Sequence, residues 1–286
     1  MMVYTKNLVL VCTGRDAVRA AKQGMPVLHL CLSITPSGAL QRLQLPTSDT
    51  RCLLGLCDPP QGLVSCNADR LAADLVFEAR RTGAPGVFAD FEHDTPQGRR
   101  LLAAFDNALH EADIPFYVPL GCGRALTHAV LTTPTALSGG SLTAYISSLQ
   151  GIYGAARIAA FLQPVSQDFT LPSASPNGKT LTQTERENLL ARTGSQTFFS
   201  RELCAKYFTY TDSDGRAHFV LFDDPSTLEA KLAQLAGCGV QTVFDESVNG
   251  LSTVIVSAGK IGYQIECAPA DLIGLVRAKT APITTD

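Results

Sequence analysis

The sequence contains no tryptophan, so no indole ring is present as a broad stacking surface. It is also poor in charge. Only 17% of its 286 residues are Asp, Glu, Lys or Arg, and 23 basic against 26 acidic side chains leave a net charge of −3. No basic block stands out, so the field that concentrates nucleic acid or anionic lipid is missing, and neither nucleic acid nor membrane is an expected partner. No CxxC pair occurs among the nine cysteines, which are scattered through apolar segments where a free thiol behaves as a small buried hydrophobe. An odd number without a zinc spacing favours a reducing compartment. No stretch approaches ~18 consecutive apolar residues, the length a membrane span needs. The opening "MMVYTKNLVLVCTGRD" has too short an apolar run for a secretory leader and no small-x-small cleavage site. The expectation is a soluble, cytoplasmic protein.

What is present is a regular alternation of short apolar runs with amphipathic segments. "NLVLVC", "PVLHLCLS", "RCLLGLC", "GVFADFE", "IPFYVPL", "HAVLTT" and "ARIAAFLQP" make seven such runs before residue 165, and "VQTVFDE" near 240–246 makes an eighth. Helix-like patterns separate several of them, over 15–23, 68–82, 97–112 and 141–154. Fully apolar strands alternating with helices are the mark of a parallel sheet covered by helices. The sequence predicts one α/β domain over 1–286, a (β/α)8 TIM barrel, of a size common for that fold. The long gap between strands seven and eight is read as a small α+β insertion, 164–223. It holds the loop "LPSASPNGKT", a helix started by Thr182 with Glu185 three residues on, and a hairpin around "TDSDG". A helix follows in "DPSTLEAKLAQLAGCG", capped by Asp223 or Asp224 with Pro225 in its first turn. Two short strand patterns and a helix around 269–278 are expected in the tail.

The stretch "GVFADFEHD" carries the chemistry. Alternation along a barrel strand sends Val87, Ala89 and Phe91, all apolar, to the helix layer, and therefore Phe88, Asp90 and Glu92 into the lumen. Asp90 and Glu92 then climb to the C-terminal mouth, where barrel active sites are built. Two carboxylates sharing a mouth of low dielectric favour one protonated partner near neutral pH, the state needed to protonate a leaving-group oxygen. Solvated acids at a strand end, capping the next helix, are the competing reading. His29, His93 and His128 are the only histidines near strand ends and are read as structural, so neither metal nor other cofactor is expected.

These residues resemble glycoside hydrolase family 18, in particular its bacterial spore-associated branch acting on peptidoglycan-type N-acetylglucosamine. That family's fourth strand reads Asp-Gly-x-Asp-x-Asp-x-Glu, matched here at Gly86, Asp90 and Glu92. "IAAFLQPVSQDFTLP" resembles its seventh strand and the segment after it, "KYFTYTDSDGRAHFVLFDDPSTLEAKLAQLAGCGV" its insertion strands and following helix, and "VFDES" falls where it carries an eighth-strand tryptophan. The resemblance runs from about 70 to 246. It implies a retaining glycosidase that uses the 2-acetamido group of an N-acetylhexosamine glycan as nucleophile. Glu92 would be the acid and base, Asp90 the residue that orients the acetamide, and Phe244 the floor beneath the sugar. Thr133 aligns near the tyrosine that grips the acetamide. Pro85 and Phe88 stand at the first two acidic positions of the signature, which makes Phe88 a substrate-binding candidate rather than a carboxylate partner, and Val165 and Ser166 replace a tyrosine-glycine pair. A non-hydrolytic carbohydrate-binding protein on the same barrel is the alternative.

Overall fold

The computed structural model describes residues 7–12, 17, 20, 26–43, 52–59, 66–137, 139–172 and 178–245, with the backbone of two tail strands. Its centre is a ring of eight parallel strands, β1 (Asn7–Cys12), β2 (Val27–Ile34), β4 (Leu53–Cys57), β5 (Val87–Asp90), β6 (Phe116–Pro119), β7 (Val130–Pro134), β8 (Ile158–Leu162) and β14 (Thr242–Asp245). Pairing of β1 with both β2 and β14 closes the ring, which leaves no free edge. β3 (Leu40–Arg42) turns back antiparallel on β2. The fold is the (β/α)8 barrel with an inserted α+β unit that the sequence predicts.

Side-chain caps set the starts of the long helices. In α1 (Ala68–Thr82) the Asn67 side chain accepts from the Arg70 N–H, and Gly83 ends the helix at φ 66°. In α2 (Pro96–Glu111) Thr95 accepts from the Gly98 N–H and Pro96 occupies the first turn. Leu71 and Leu75 of α1 and Leu101, Leu102, Phe105 and Leu109 of α2 pack on Val87, Ala89 and Phe91, the outward set of β5. Full burial of each such side chain stabilises by about 1.5–3 kcal/mol. Gly86 lets β5 lie close to β6, because a Cβ there would stand 3.0 Å from the Pro115 carbonyl oxygen. One buried carboxylate joins α1 to the β3 hairpin. Glu78 is 2% exposed and is gripped by Arg81 and Arg42, at 2.7 Å and 2.6 Å. Hydrogen bonds from Arg81 and then Arg42 hold its carboxyl below the ordinary range, against the opposing effect of burial.

Between β8 and β14 lies a second, antiparallel sheet in the order β10-β9-β13-β12-β11. Its strands are β9 (Ser166–Leu171), β10 (Lys179–Thr180), β11 (Phe198–Ser200), β12 (Ala205–Thr211) and β13 (Ala217–Phe222). Helix α4 (Gln183–Thr193), which follows α3 (Leu142–Tyr153), covers one face, with Leu181 and Leu189 against Phe208, Val220 and Phe222. Thr182 and Glu185 form its capping box. In the β12–β13 turn Asp212 accepts from the Asp214 and Arg216 N–H groups, and the latter bond leads the causes that lower its pKa to about 2.

The insertion is tied to the barrel by a buried polar knot. Asp224 caps α5 (Pro225–Gly237), so Asp223 is free to turn inward. There it accepts from the Val165 N–H at 2.8 Å, Thr227 Oγ1 at 2.7 Å and Lys231 Nζ at 2.5 Å. Both members of the ion pair have side chains exposed by no more than 1%. The expected helix over 15–23, residues 17 and 20 apart, and the one around 269–278 lie outside the described residues. The tail strands β15 (Thr253–Ser257) and β16 (Lys260–Gln264) pair antiparallel.

Candidate active site

β5 ends with its lumen-facing residues stepping from a dry interior to an open mouth. Phe88 is 1% exposed, Asp90 half-buried and Glu92 exposed. All three line one cavity of about 250 Å³ at the C-terminal end of the barrel. The segment holding Glu92 is fixed on both sides. Phe91 is fully buried and its carbonyl accepts from the Cys122 thiol at 3.1 Å. One residue beyond Glu92, His93 Nδ1 meets Asp58 Oδ2, at the end of β4, at 2.7 Å. Cys57 lies beside Asp90 in the ladder, and burial, with the Asp90 and Asp58 charges adding, pushes its thiol up and keeps it a poor nucleophile.

The His93–Asp58 contact raises the imidazole pKa, first through the hydrogen bond and then through the Asp58 charge. The tie is therefore fully formed below the ordinary imidazole value and is lost as pH rises through the elevated one. Replacing Asp58 with Asn is expected to bring the His93 titration midpoint, followed by proton NMR of its ring, down toward the ordinary value. A midpoint unmoved by the substitution would show that Asp58 does not hold the ring.

Two sequence expectations are corrected. Thr133 faces the helix layer, where its hydroxyl lies 2.7 Å from the Tyr145 hydroxyl, and it contributes nothing to the cavity. Its neighbour Thr132 faces the lumen, because β7 alternates strictly and Thr132 pairs with Pro119 and Ala159 of the inner face. A one-residue shift in register moves a side chain to the opposite face. Phe244 does point into the lumen but is fully buried and takes no part in lining the cavity. Phe88, Tyr117 and Phe161 surround its ring at centroid distances of 5.1, 5.2 and 6.0 Å, so no face is left for a sugar.

Phe161 instead supplies a half-exposed aromatic wall, and Gln163 beyond it is exposed at the rim. Counting by two along "IAAFLQ" places Ala159, Phe161 and Gln163 on one face, a signal sufficient to find both. Of the strand-end histidines, His29 is fully buried and burial lowers its pKa, while His128 stacks on His110 at 3.7 Å. Among the described residues no group of three or more His, Cys, Asp or Glu side chains is placed to hold a metal ion.

No protein-family model matches the sequence, and no curated protein matches it. Solved structures do. A chitinase from Chromobacterium violaceum superposes with a TM-score of 0.59 at 17% identity, over 97% of this chain and 99% of that one. The spore cortex-lytic enzyme SleL of Bacillus cereus gives 0.57 at 13% identity, over 85% and 71%. A glycoside hydrolase family 18 chitinase from Cycas revoluta gives 0.56 at 11%, over 85% and 95%. The fold is similar to the (β/α)8 barrel of these chitinases and of the cortex-lytic enzyme. At such identities the likeness is one of fold, and a fold does not fix a function. What the mouth of this barrel can do depends on its own side chains.

Proposed function

We propose that the chain is a retaining glycosidase acting on β-linked N-acetylhexosamine glycosides, its substrate an N-acetylglucosamine-containing glycan or fragment. The observation that carries this is the placement of Asp90 and Glu92 at successive lumen-facing positions on one wall of the mouth cavity. In the first step the substrate's acetamide oxygen bonds to the anomeric carbon as the glycosidic C–O bond breaks, and the departing oxygen takes the proton from Glu92. Asp90 orients the acetamide N–H and stabilises the positive oxazolinium ring so formed. Water then attacks the anomeric carbon, gives its proton to Glu92 and reopens the ring with net retention. The Cycas revoluta chitinase has been crystallised with allosamidin, and a double mutant of it with (GlcNAc)4, and SleL of Bacillus cereus is a spore cortex-lytic enzyme, which supports this substrate class.

A second reading, carbohydrate binding without hydrolysis, draws on Phe88, an apolar side chain where the resemblance puts a carboxylate below Asp90. Turnover of a chromogenic β-N-acetylglucosaminide separates the two, and wild-type protein is expected to turn it over. Retained binding with no turnover of any N-acetylated glycoside would assign the cavity to the second reading. Substrate assistance has its own signature: an oxazoline-mimicking inhibitor should bind wild type and lose at least about tenfold in affinity in Asp90→Asn. Equal affinity for both proteins would remove Asp90 from the acetamide-orienting role.

A further inference from the structure

The mouth cavity has two unlike walls. Asp90, Glu92, Thr132 and Gln163 give β5, β7 and β8 a polar side. β2 lies across the ring from β7, four strands away in either direction, and among the described residues that side presents the half-exposed Leu30 of β2 to the cavity, with Leu28 of β2 and Val11 of the neighbouring β1 buried beneath it. A pyranose carries hydroxyls around its rim, and each one desolvated against an aliphatic surface loses its hydrogen bonds without replacement. An apolar group placed there gains instead from burial.

This aliphatic side is built into the barrel. Gly55 of β4 shares the inner face, and a Cβ at that position would stand 2.5 Å from Leu30 Cδ2. The missing side chain lets Leu30 lie over β4, widening the aliphatic surface beyond what β2 alone would provide. Leu30 and, across the cavity, Phe161 are both half-exposed, so both have surface available for contact. The cavity, about 250 Å³, has room for one sugar ring and a small substituent.

We propose, resting on the glycosidase reading above, that the preferred substrate is a short N-acetylhexosamine glycoside carrying a compact apolar group. That group sits against Leu30 while the acetamido sugar meets Asp90 and Glu92. An extended unsubstituted polysaccharide, which brings hydroxyls to every wall, fits the cavity less well.

The test compares binding of methyl and butyl β-N-acetylglucosaminide and of diacetylchitobiose to Glu92→Gln protein by calorimetry, with hydrolysis of the same compounds by wild type alongside. The butyl glycoside is expected to bind at least about tenfold more tightly than the methyl one, the scale on which a hydrophobic pocket discriminates methylenes. Leu30→Gln should narrow that ratio to within about twofold. Leu30→Ala, which adds no polar atom, should narrow it as well and serves if the glutamine variant does not fold. Equal binding of butyl and methyl glycosides, or tighter binding of diacetylchitobiose than of the butyl glycoside, overturns the proposal. The two ideas fail separately. A persistent butyl preference without hydrolysis of any compound sustains the aliphatic wall and removes the glycosidase, whereas hydrolysis without the preference does the reverse.

Discussion

Glu92→Gln is expected to lower kcat for a β-N-acetylhexosaminide by about 10²–10⁴-fold, the usual contribution of a positioned general acid and base. The loss should depend on the leaving group. An alkyl glycoside must depart as an alcohol and relies fully on the Glu92 proton, while a nitrophenolate leaves without much help, so the first step of the aryl substrate should suffer less. Hydrolysis of the oxazolinium intermediate still needs Glu92 as base, so the aryl substrate should show its defect in the second step, as a burst followed by slow turnover. Because Glu92 is exposed, the substitution should leave thermal stability within about 0.5 kcal/mol. Full activity in the glutamine variant would remove Glu92 from the mechanism and leave the barrel mouth without its acid.

The largest expected effect on stability lies elsewhere, in Lys231→Ala. Lys231 and Asp223 form an ion pair shielded from solvent, and Asp223 also holds the Val165 N–H and the Thr227 hydroxyl. Removing the ammonium leaves a buried carboxylate with only neutral donors, a change that costs about 3–5 kcal/mol. For a domain approaching this size that is on the order of 10 °C in Tm. The double variant Asp223→Leu/Lys231→Met should recover much of the loss, because no unpaired charge remains and the apolar pair fills similar volume. Thermal unfolding of the two single variants and the double closes the cycle. If Lys231→Ala costs under 1 kcal/mol, water reaches the pair and the knot is not the anchor of the insertion. Val165 follows β8 by only three residues, so the single variant should also loosen Phe161 and Gln163 at the cavity.

The legibility of these features in the sequence follows from how local their causes are. The eight strands are legible as short, mainly apolar runs, and β5 is placed in register because Val87, Ala89 and Phe91 admit only one orientation toward the helices. Helix starts were readable for the same reason. Thr182 and Glu185 satisfy each other within four residues. The choice between Asp223 and Asp224 as cap was not decidable locally, since it turns on Lys231 two helical turns away and on Val165 from another strand. Thr132 and Thr133 are adjacent and identical, so "VLTTPT" contains nothing that says which faces inward; the pairing with Pro119 and Ala159 decides it. The burial of Phe244 was equally invisible, because the rings that cover it come from β5, β6 and β8.

Those four rings have a consequence for molecular traffic. Below the cavity, whose floor is Phe88 and whose wall is Phe161, Tyr117 and Phe244 pack against those rings as a cork stops a bottle, so among the described residues the lumen offers no rear exit. Whatever enters the mouth leaves by it, in reverse order. In the glycosidase reaction proposed above, the aglycone would have to clear the opening before water could reach the intermediate, and a lingering leaving group would block the second step.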